Sequence, residues 1–186
     1  MKILSTDFPG LIIIEPKVFG DARGYFFESY NAKIMSEAGI ETVFRQDNQS
    51  FSKYGVIRGL HFQLNPYSQT KLIRVIEGVI YDVALDLRKG SPTFGKWYGL
   101  ELSDENKRQL YIPQGFAHGF SVLSEQATIL YKCDHFYHPP SESGILYNDP
   151  ALDIDWKVDA SKATVSDKDM ILPTFDQVET NFVYHA

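Results

Sequence analysis

Apolar and polar side chains alternate along this chain in the manner of short strands. The clearest stretch, Val79-Ile-Tyr-Asp-Val-Ala-Leu-Asp-Leu87, puts Val79, Tyr81, Val83, Leu85 and Leu87 on one face and Ile80, Asp82, Ala84 and Asp86 on the other. A period of two predicts a strand with one well-buried face. Glu77-Gly78 ahead of it reads as a hairpin turn. Leu11–Glu15 predicts a buried strand closed by Pro16, and 20–24 a turn leading into a second strand, Tyr25–Tyr30. Asn31 is placed to cap a short helix, Ala32–Ala38, ended by Gly39. Further strands are predicted over Phe44–Phe51, Val56–Leu64, Trp97–Leu102, Arg108–Ile112, His118–Leu123 and Thr128–Cys133. Helical pattern is nearly absent before the polar C-terminal third. Roughly ten short strands with turn signals between them predict an antiparallel sandwich or jelly roll.

The 186 residues suit one domain with a substantial core, and no repeat, low-complexity tract or linker divides them. Thirteen Phe, 11 Tyr and 2 Trp make a high aromatic load. Aromatics favour strands and fill β cores, and they also line pockets that hold sugars or bases. A net charge of −6 argues against non-specific nucleic-acid binding, which needs a basic field. Any phosphate-bearing ligand would need a local group of Arg and Lys. Cys133 is the only cysteine, which excludes an intrachain disulfide and fits a reducing cytoplasm. The N-terminal residues lack the apolar stretch of a signal peptide, and the run Leu11–Ile14 is far too short to span a membrane.

Four segments carry candidate chemistry. In Val56-Ile-Arg-Gly-Leu-His-Phe-Gln63, Arg58 and His61 have opposite parity and would face opposite sides of an ideal strand. A glycine between them can mark a bulge that redirects one of them. Tyr111–Phe120 sets a Pro-x-Gly turn ahead of His118, Thr128–Lys132 offers the phenol of Tyr131 on a strand, and Ser166-Asp-Lys-Asp169 supplies a lysine and two carboxylates. Asp82 and Asp86 share a strand face and read equally as solvent-exposed or structural. His135, His138 and His185 carry no motif and read as surface residues. The run around Asp169 taken alone reads as a solvated face.

Six stretches stand in order at compatible spacing: Phe-Gly-Asp-x-Arg-Gly-x-Phe (19–26), Gln-Asp-Asn-x-Ser (46–50), Arg-Gly-Leu-His-Phe-Gln (58–63), Lys-Leu-x-Arg-Val (71–75), Ile-Pro-x-Gly-Phe-Ala-His-Gly-Phe (112–120) and Gly-Ile-x-x-Asn-Asp-Pro (144–150). Together they resemble the dTDP-4-dehydrorhamnose 3,5-epimerases of the cupin superfamily. The likeness runs from about 11 to 172. It implies a cupin-type jelly roll, an antiparallel β-barrel or sandwich with a few short peripheral helices, over residues 1–186 as one domain. It also implies a homodimer and a dTDP-bound 4-keto-6-deoxyglucose as substrate, inverted at C3 and C5 to dTDP-4-dehydro-L-rhamnose. Protons on those carbons are acidified because the C4 ketone takes up the charge as an enolate. By resemblance His61 is the base, Tyr131 the acid on the opposite face, Asp169 the carboxylate that holds the imidazole, and Lys71 the group that stabilises the enolate oxygen. Arg23, Glu28, Gln46, Asn48, Arg58, His118, Glu142 and Lys168 occupy the family's ligand-binding positions. Of these, Arg23 and Arg58 suit the diphosphate. Tyr137 is the candidate to stack on thymine. His118 reads as both structural and ligand-contacting, and Tyr147 stands where the family usually has Trp.

Many cupins bind metal through His-x-His, but His61 is followed by Phe62 and Gln63. One or two imidazoles rarely make a tight transition-metal site, so no metal is expected. No dinucleotide fingerprint is present, and a proton shift beside a ketone needs no redox cofactor. Three rivals stay open: an epimerase acting at one carbon only, a sugar-nucleotide ketoisomerase, and a non-catalytic sugar-binding cupin. The 58–63 motif and Tyr131 argue against the second. Retention of His61, Lys71, Tyr131 and Asp169 argues against the third.

Overall fold

Apolar residues two apart on many strands need a second apolar layer to cover them, and two antiparallel sheets supply it for each other. The computed structural model describes residues 1–185. The first sheet has six strands, which in chain order are β1 (Lys2–Ser5), β2 (Ile12–Glu15), β5 (Gln46–Lys53), β7 (Lys71–Glu77), β10 (Gln109–Ile112) and β12 (Gln126–Cys133). They lie side by side in the order β1-β2-β10-β7-β12-β5. The second has five: β6 (Ile57–Gln63), β8 (Val79–Asp86), β9 (Trp97–Ser103), β11 (Phe116–Val122) and β13 (Glu142–Gly144), ordered β13-β6-β11-β8-β9. A separate hairpin pairs β3 (Phe19–Asp21) with β4 (Gly24–Phe26). The neighbouring strands in all three sheets run antiparallel, which agrees with the sandwich read from the sequence. Among the described residues no helix is long and apolar enough to cross a membrane.

The central core joins Ile73, Leu110 and Ile129 of the first sheet to Ile80, Ala84 and Phe120 of the second. The expectation of one buried face on β8 is corrected here. Val83, Leu85 and Leu87, on its other face, are fully buried in a second core with Leu152, Trp156 and Phe182. The C-terminal third, polar and mostly irregular, lays these few large apolar side chains over the back of the five-stranded sheet. A smaller cluster covers part of the back of the six-stranded sheet, where Met35 and Ile40 meet Ile14, Leu72 and Tyr111.

Met35 comes from helix α1 (Ala32–Glu37), which Asn31 caps by accepting from the backbone N–H groups of Lys33 and Ile34. The strand expected over Tyr25–Tyr30 is only three residues long, Gly24–Phe26. Among the described residues its sole partner is the equally short β3 and no sheet edge receives the backbone beyond Phe26, so the chain turns to the cap at Asn31. Asp82 and Asp86, open between two readings on sequence, are fully buried. Asp86 accepts from Arg88, Ser91 and Thr93, a structural network that also fixes the turn after β8.

Candidate active site

The interior faces of β5, β6, β7, β11 and β12 converge on an open-ended cavity. It comprises two adjoining lobes of about 240 and 480 Å³, both lined by His61, Lys71 and Tyr131. Strand pairing explains how β6 delivers two polar side chains of opposite parity. His61 lies opposite His118 and Arg58 opposite Phe120, so three steps on β6 span two on β11. The extra residue falls at Gly59-Leu60, and it brings Arg58 and His61 to the same lobe, as the intervening glycine suggested. Gly59 has φ +123°, and a Cβ there would stand 2.5 Å from the Gly119 Cα, so only glycine lets the strands approach this closely.

His61 is half-buried, and its Nε2 is 2.8 Å from the Asp169 Oδ1. With Nε2–H donated to the carboxylate, the lone pair resides on Nδ1. Asp169 is 3% exposed, which overturns the solvated-face reading of its run. It sits in α2 (Asp167–Met170), a single turn capped by Ser166, whose hydroxyl accepts from the Asp169 N–H. The other carboxylate oxygen, Oδ2, accepts from the Gly59 N–H at 3.3 Å, so Asp169 grips both the imidazole and the bulge.

Tyr131 faces the cavity from β12. Burial, then the nearby Cys133, raises its pKa against the opposing effect of Arg58, so the phenol keeps its proton through the physiological range. Burial also lowers the pKa of Lys71, while Cys133, Asp82 and Glu142 favour its charged form. His118, on β11, brings its Nε2 within 2.8 Å of the Asp82 Oδ1. Burial outweighs that carboxylate and depresses the His118 pKa, favouring the neutral imidazole. His118 thus both holds the buried Asp82 and lines the larger lobe.

The smaller lobe is richer in uncharged polar groups, with Gln46, Asn48, Gln63, Gln69 and Tyr137 in its wall beside the carboxylate of Glu142. Glu142 Oε2 accepts from the Tyr137 hydroxyl at 2.8 Å and from the Lys168 ammonium at 2.7 Å. Burial acts to raise the Glu142 pKa, but these two donors prevail and hold the carboxyl below its usual range. Arg58 donates to the Ser52 hydroxyl and the Phe51 carbonyl. Arg23 and Glu28 are not brought to this cavity. Arg23 sits in the β3–β4 turn, paired with Asp21, and Glu28 accepts from the Asn31 side chain. Among the described residues, no group of three or more His, Cys, Asp and Glu is arranged to hold a metal ion.

Sequence reasoning missed Ser50, Gln63, Gln69, Phe120 and 164–166 as cavity-lining residues. Gln63, Ser50 and Phe120 belong to the recognised motifs, so a signal was present. Gln69 and Thr164 offered none.

A family model described as dTDP-4-dehydrorhamnose 3,5-epimerase matches residues 5–177. The chain belongs to this family. Among curated members, the dTDP-4-dehydrorhamnose 3,5-epimerase of Shigella flexneri is 54% identical over 171 residues, covering 91% of this chain and 93% of that protein. That of Methanothermobacter thermautotrophicus is 51% identical, covering 90% and 91%. The crystal structure of the Legionella pneumophila epimerase in complex with dTDP-4-keto-L-rhamnose superposes with a TM-score of 0.94. It is 48% identical and covers 100% of this chain and 99% of that one. Tyr147, the departure noted for this family, packs against the second core and accepts the Trp156 indole N–H on its carbonyl. The aromatic therefore serves packing. Of the histidines without a motif, His185 is exposed, but His138 is half-buried and stacks on Tyr67 with ring centroids 3.7 Å apart.

Proposed function

We propose that this chain inverts C3 and C5 of dTDP-4-dehydro-6-deoxy-D-glucose to give dTDP-4-dehydro-L-rhamnose. The observation that carries this reading is that the His61 and Tyr131 rings line one cavity together with Lys71. His61 Nδ1 removes the proton on one face of a carbon beside the C4 ketone. The electron pair of that C–H bond moves into an enolate, whose oxygen the Lys71 ammonium stabilises. Tyr131 donates its proton to the carbon from the opposite face, and the configuration inverts. The phenolate then regains a proton and His61 loses the one it took, so nothing is consumed. Repetition at the second carbon yields the L-configured sugar. Asp169 holds the imidazole and stabilises its charged form. No metal or redox cofactor enters these steps.

The nucleotide end fits the remaining groups: Arg58 and Lys168 toward phosphate or ribose, Gln46 and Asn48 along the wall, His118 beside the sugar, and Tyr137 against thymine. Arg23 and Glu28 join this set through a homodimer in which the β3–β4 hairpin of one copy reaches the cavity mouth of the other. The hairpin leaves Phe19, Tyr25 and Phe26 53%, 61% and 66% exposed, which supports its having a partner. The whole chain acts as one catalytic domain. A nucleotide-activated substrate and a single buried thiol, Cys133, favour the cytoplasm.

Incubation with the keto-sugar nucleotide in deuterated water tests the reading. Label at both C3 and C5 with the L-rhamno product is expected. Label at one carbon would make the chain a monofunctional epimerase, and no label would leave only a binding protein. Mixing Arg23→Ala and His61→Ala chains tests the dimer. If Arg23 acts on the other copy, each mixed dimer regains one intact site; if it acts on its own copy, no activity returns.

A further inference from the structure

Between the end of β12 at Cys133 and the 3-10 turn Pro139–Ser141, the backbone has no sheet partner among the described residues, yet it carries the half-exposed Tyr137 at the mouth of the smaller lobe. Glutamine side chains take the place of the missing strand. The Gln69 amide donates to the His135 carbonyl at 2.7 Å. The Gln63 amide donates to the Phe136 carbonyl at 3.4 Å and the Tyr67 carbonyl at 2.6 Å, while its oxygen accepts from the His138 N–H at 2.8 Å. Gln46 accepts from the Tyr137 N–H. Four consecutive residues thus have a main-chain group satisfied by three amides, with Gln63 bracketing Tyr137 on both sides. Gln63 also lies directly opposite Glu142, the carboxylate that receives the Tyr137 hydroxyl.

The hydrogen-bonding capacity of Gln63 is used up by this loop. It is 5% exposed, with both amide hydrogens and its oxygen engaged, so it has little left to offer a ligand. Gln63 is the last residue of β6, two places after His61 and on a strand paired on both sides. The amide therefore ties the strand that carries the imidazole to a loop that no strand pairs among the described residues.

We propose that Gln63 and Gln69 are positioning residues that hold the 135–138 backbone and so fix the Tyr137 ring as the platform for the nucleotide base. The inference rests on the role given to Tyr137 above. Neither glutamine touches the reacting carbons, so their loss falls on binding of the nucleotide rather than on proton transfer.

Titration with dTDP and steady-state turnover of the keto-sugar nucleotide test this together. Gln63→Ala is expected to weaken dTDP binding and raise KM by about tenfold, with kcat within about threefold of wild type. Gln69→Ala, which removes one bond instead of three, should cost about threefold in the same direction. Adding Gln63→Ala to Tyr137→Ala should then change dTDP affinity by less than about twofold, because the group being positioned is gone. Gln63→Glu keeps the acceptor for His138 but sets a buried carboxylate oxygen against the Tyr67 and Phe136 carbonyls, so it should weaken dTDP binding at least as much as Gln63→Ala. Gln69→Ala keeps the test decisive if neither Gln63 variant folds. The proposal is overturned if the effects of Gln63→Ala and Tyr137→Ala multiply, if kcat collapses while KM holds, or if neither glutamine variant alters dTDP affinity. Failure of the wild-type protein to bind dTDP would instead remove the functional reading beneath it.

Discussion

His61, Lys71 and Tyr131 project from strands β6, β7 and β12, each hydrogen-bonded to a neighbour on both sides. Tyr137 stands on an irregular loop, Glu142 on an edge strand, Lys168 on a one-turn helix and Arg23 on an exposed ribbon. One end of the cavity is thus set by paired backbone, the other by side chains gripping loops. Proton transfer tolerates little error in distance or angle, because donor and acceptor must meet within hydrogen-bond reach. Nucleotide recognition spreads over many contacts, and loops that adjust to the ligand can supply them. The division predicts that damage at the strand end appears in kcat and damage at the loop end in KM.

The largest break in this pattern should come from the base. His61→Ala should lower kcat on the order of 10²–10⁴-fold, the range for loss of general acid–base help, while dTDP binding survives. Tyr131→Phe should lose inversion to a similar degree yet still exchange hydrogen, since the base remains to remove and return a proton on one face. Deuterium entering without inversion in that variant would separate the two roles. Equal loss of exchange and inversion would assign the phenol some other task.

A smaller effect concerns pH. Burial lowers the Lys71 pKa below 10.5, so as pH rises through that lowered value the ammonium is lost and kcat should fall. Burial shifts Tyr131 the other way, so its phenol holds its proton to higher pH than a free tyrosine. Stability should move the other way. In the window between the lowered folded pKa and 10.5 the unfolded chain binds more protons at this lysine, so folding becomes more favourable with pH. Lys71→Arg, charged throughout, should carry the alkaline fall in kcat to higher pH, as a pH–rate profile would reveal.

The smallest effect belongs to the loop end. Glu142→Gln should raise KM by about threefold, since it weakens a charge-assisted pair with the largely exposed Lys168. The Glu142 carboxyl titrates below 4.5, so the Tyr137–Glu142–Lys168 link should persist above that lowered value and break as pH falls through it. Tyr137 fluorescence, read against a Tyr137→Phe reference, would follow the change.

How legible this arrangement was depended on how local its causes are. The parity conflict between Arg58 and His61, with glycine between, foretold the bulge because strand period and glycine chemistry are properties of a few neighbouring residues. Asn31 announced α1 for the same reason. The second buried face of β8 was hidden, because its cover is the irregular stretch holding Leu152, Trp156 and Phe182, where no period marks the apolar residues. Asp169 read as solvated because burial is set by a strand more than a hundred positions away. Its role was carried by likeness, not by pattern. Gln63 lay inside the 58–63 motif, yet its hold on the 135–138 loop went unnoticed, as did Gln69 altogether, since an amide's partners are other segments' backbones, which no motif records. Arg23 and Glu28 were picked out by family likeness, and one copy of the chain does not bring them to the cavity.

The contact between Asp169 and Gly59 spans 110 positions, and the same carboxylate steadies the His61 ring. A ribosome therefore finishes the β sandwich well before it delivers the group that orients the imidazole. A nascent or prematurely stopped chain ending ahead of α2 would hold the histidine without its carboxylate. Competence thus arrives only once α2 has been made and settles against the bulge.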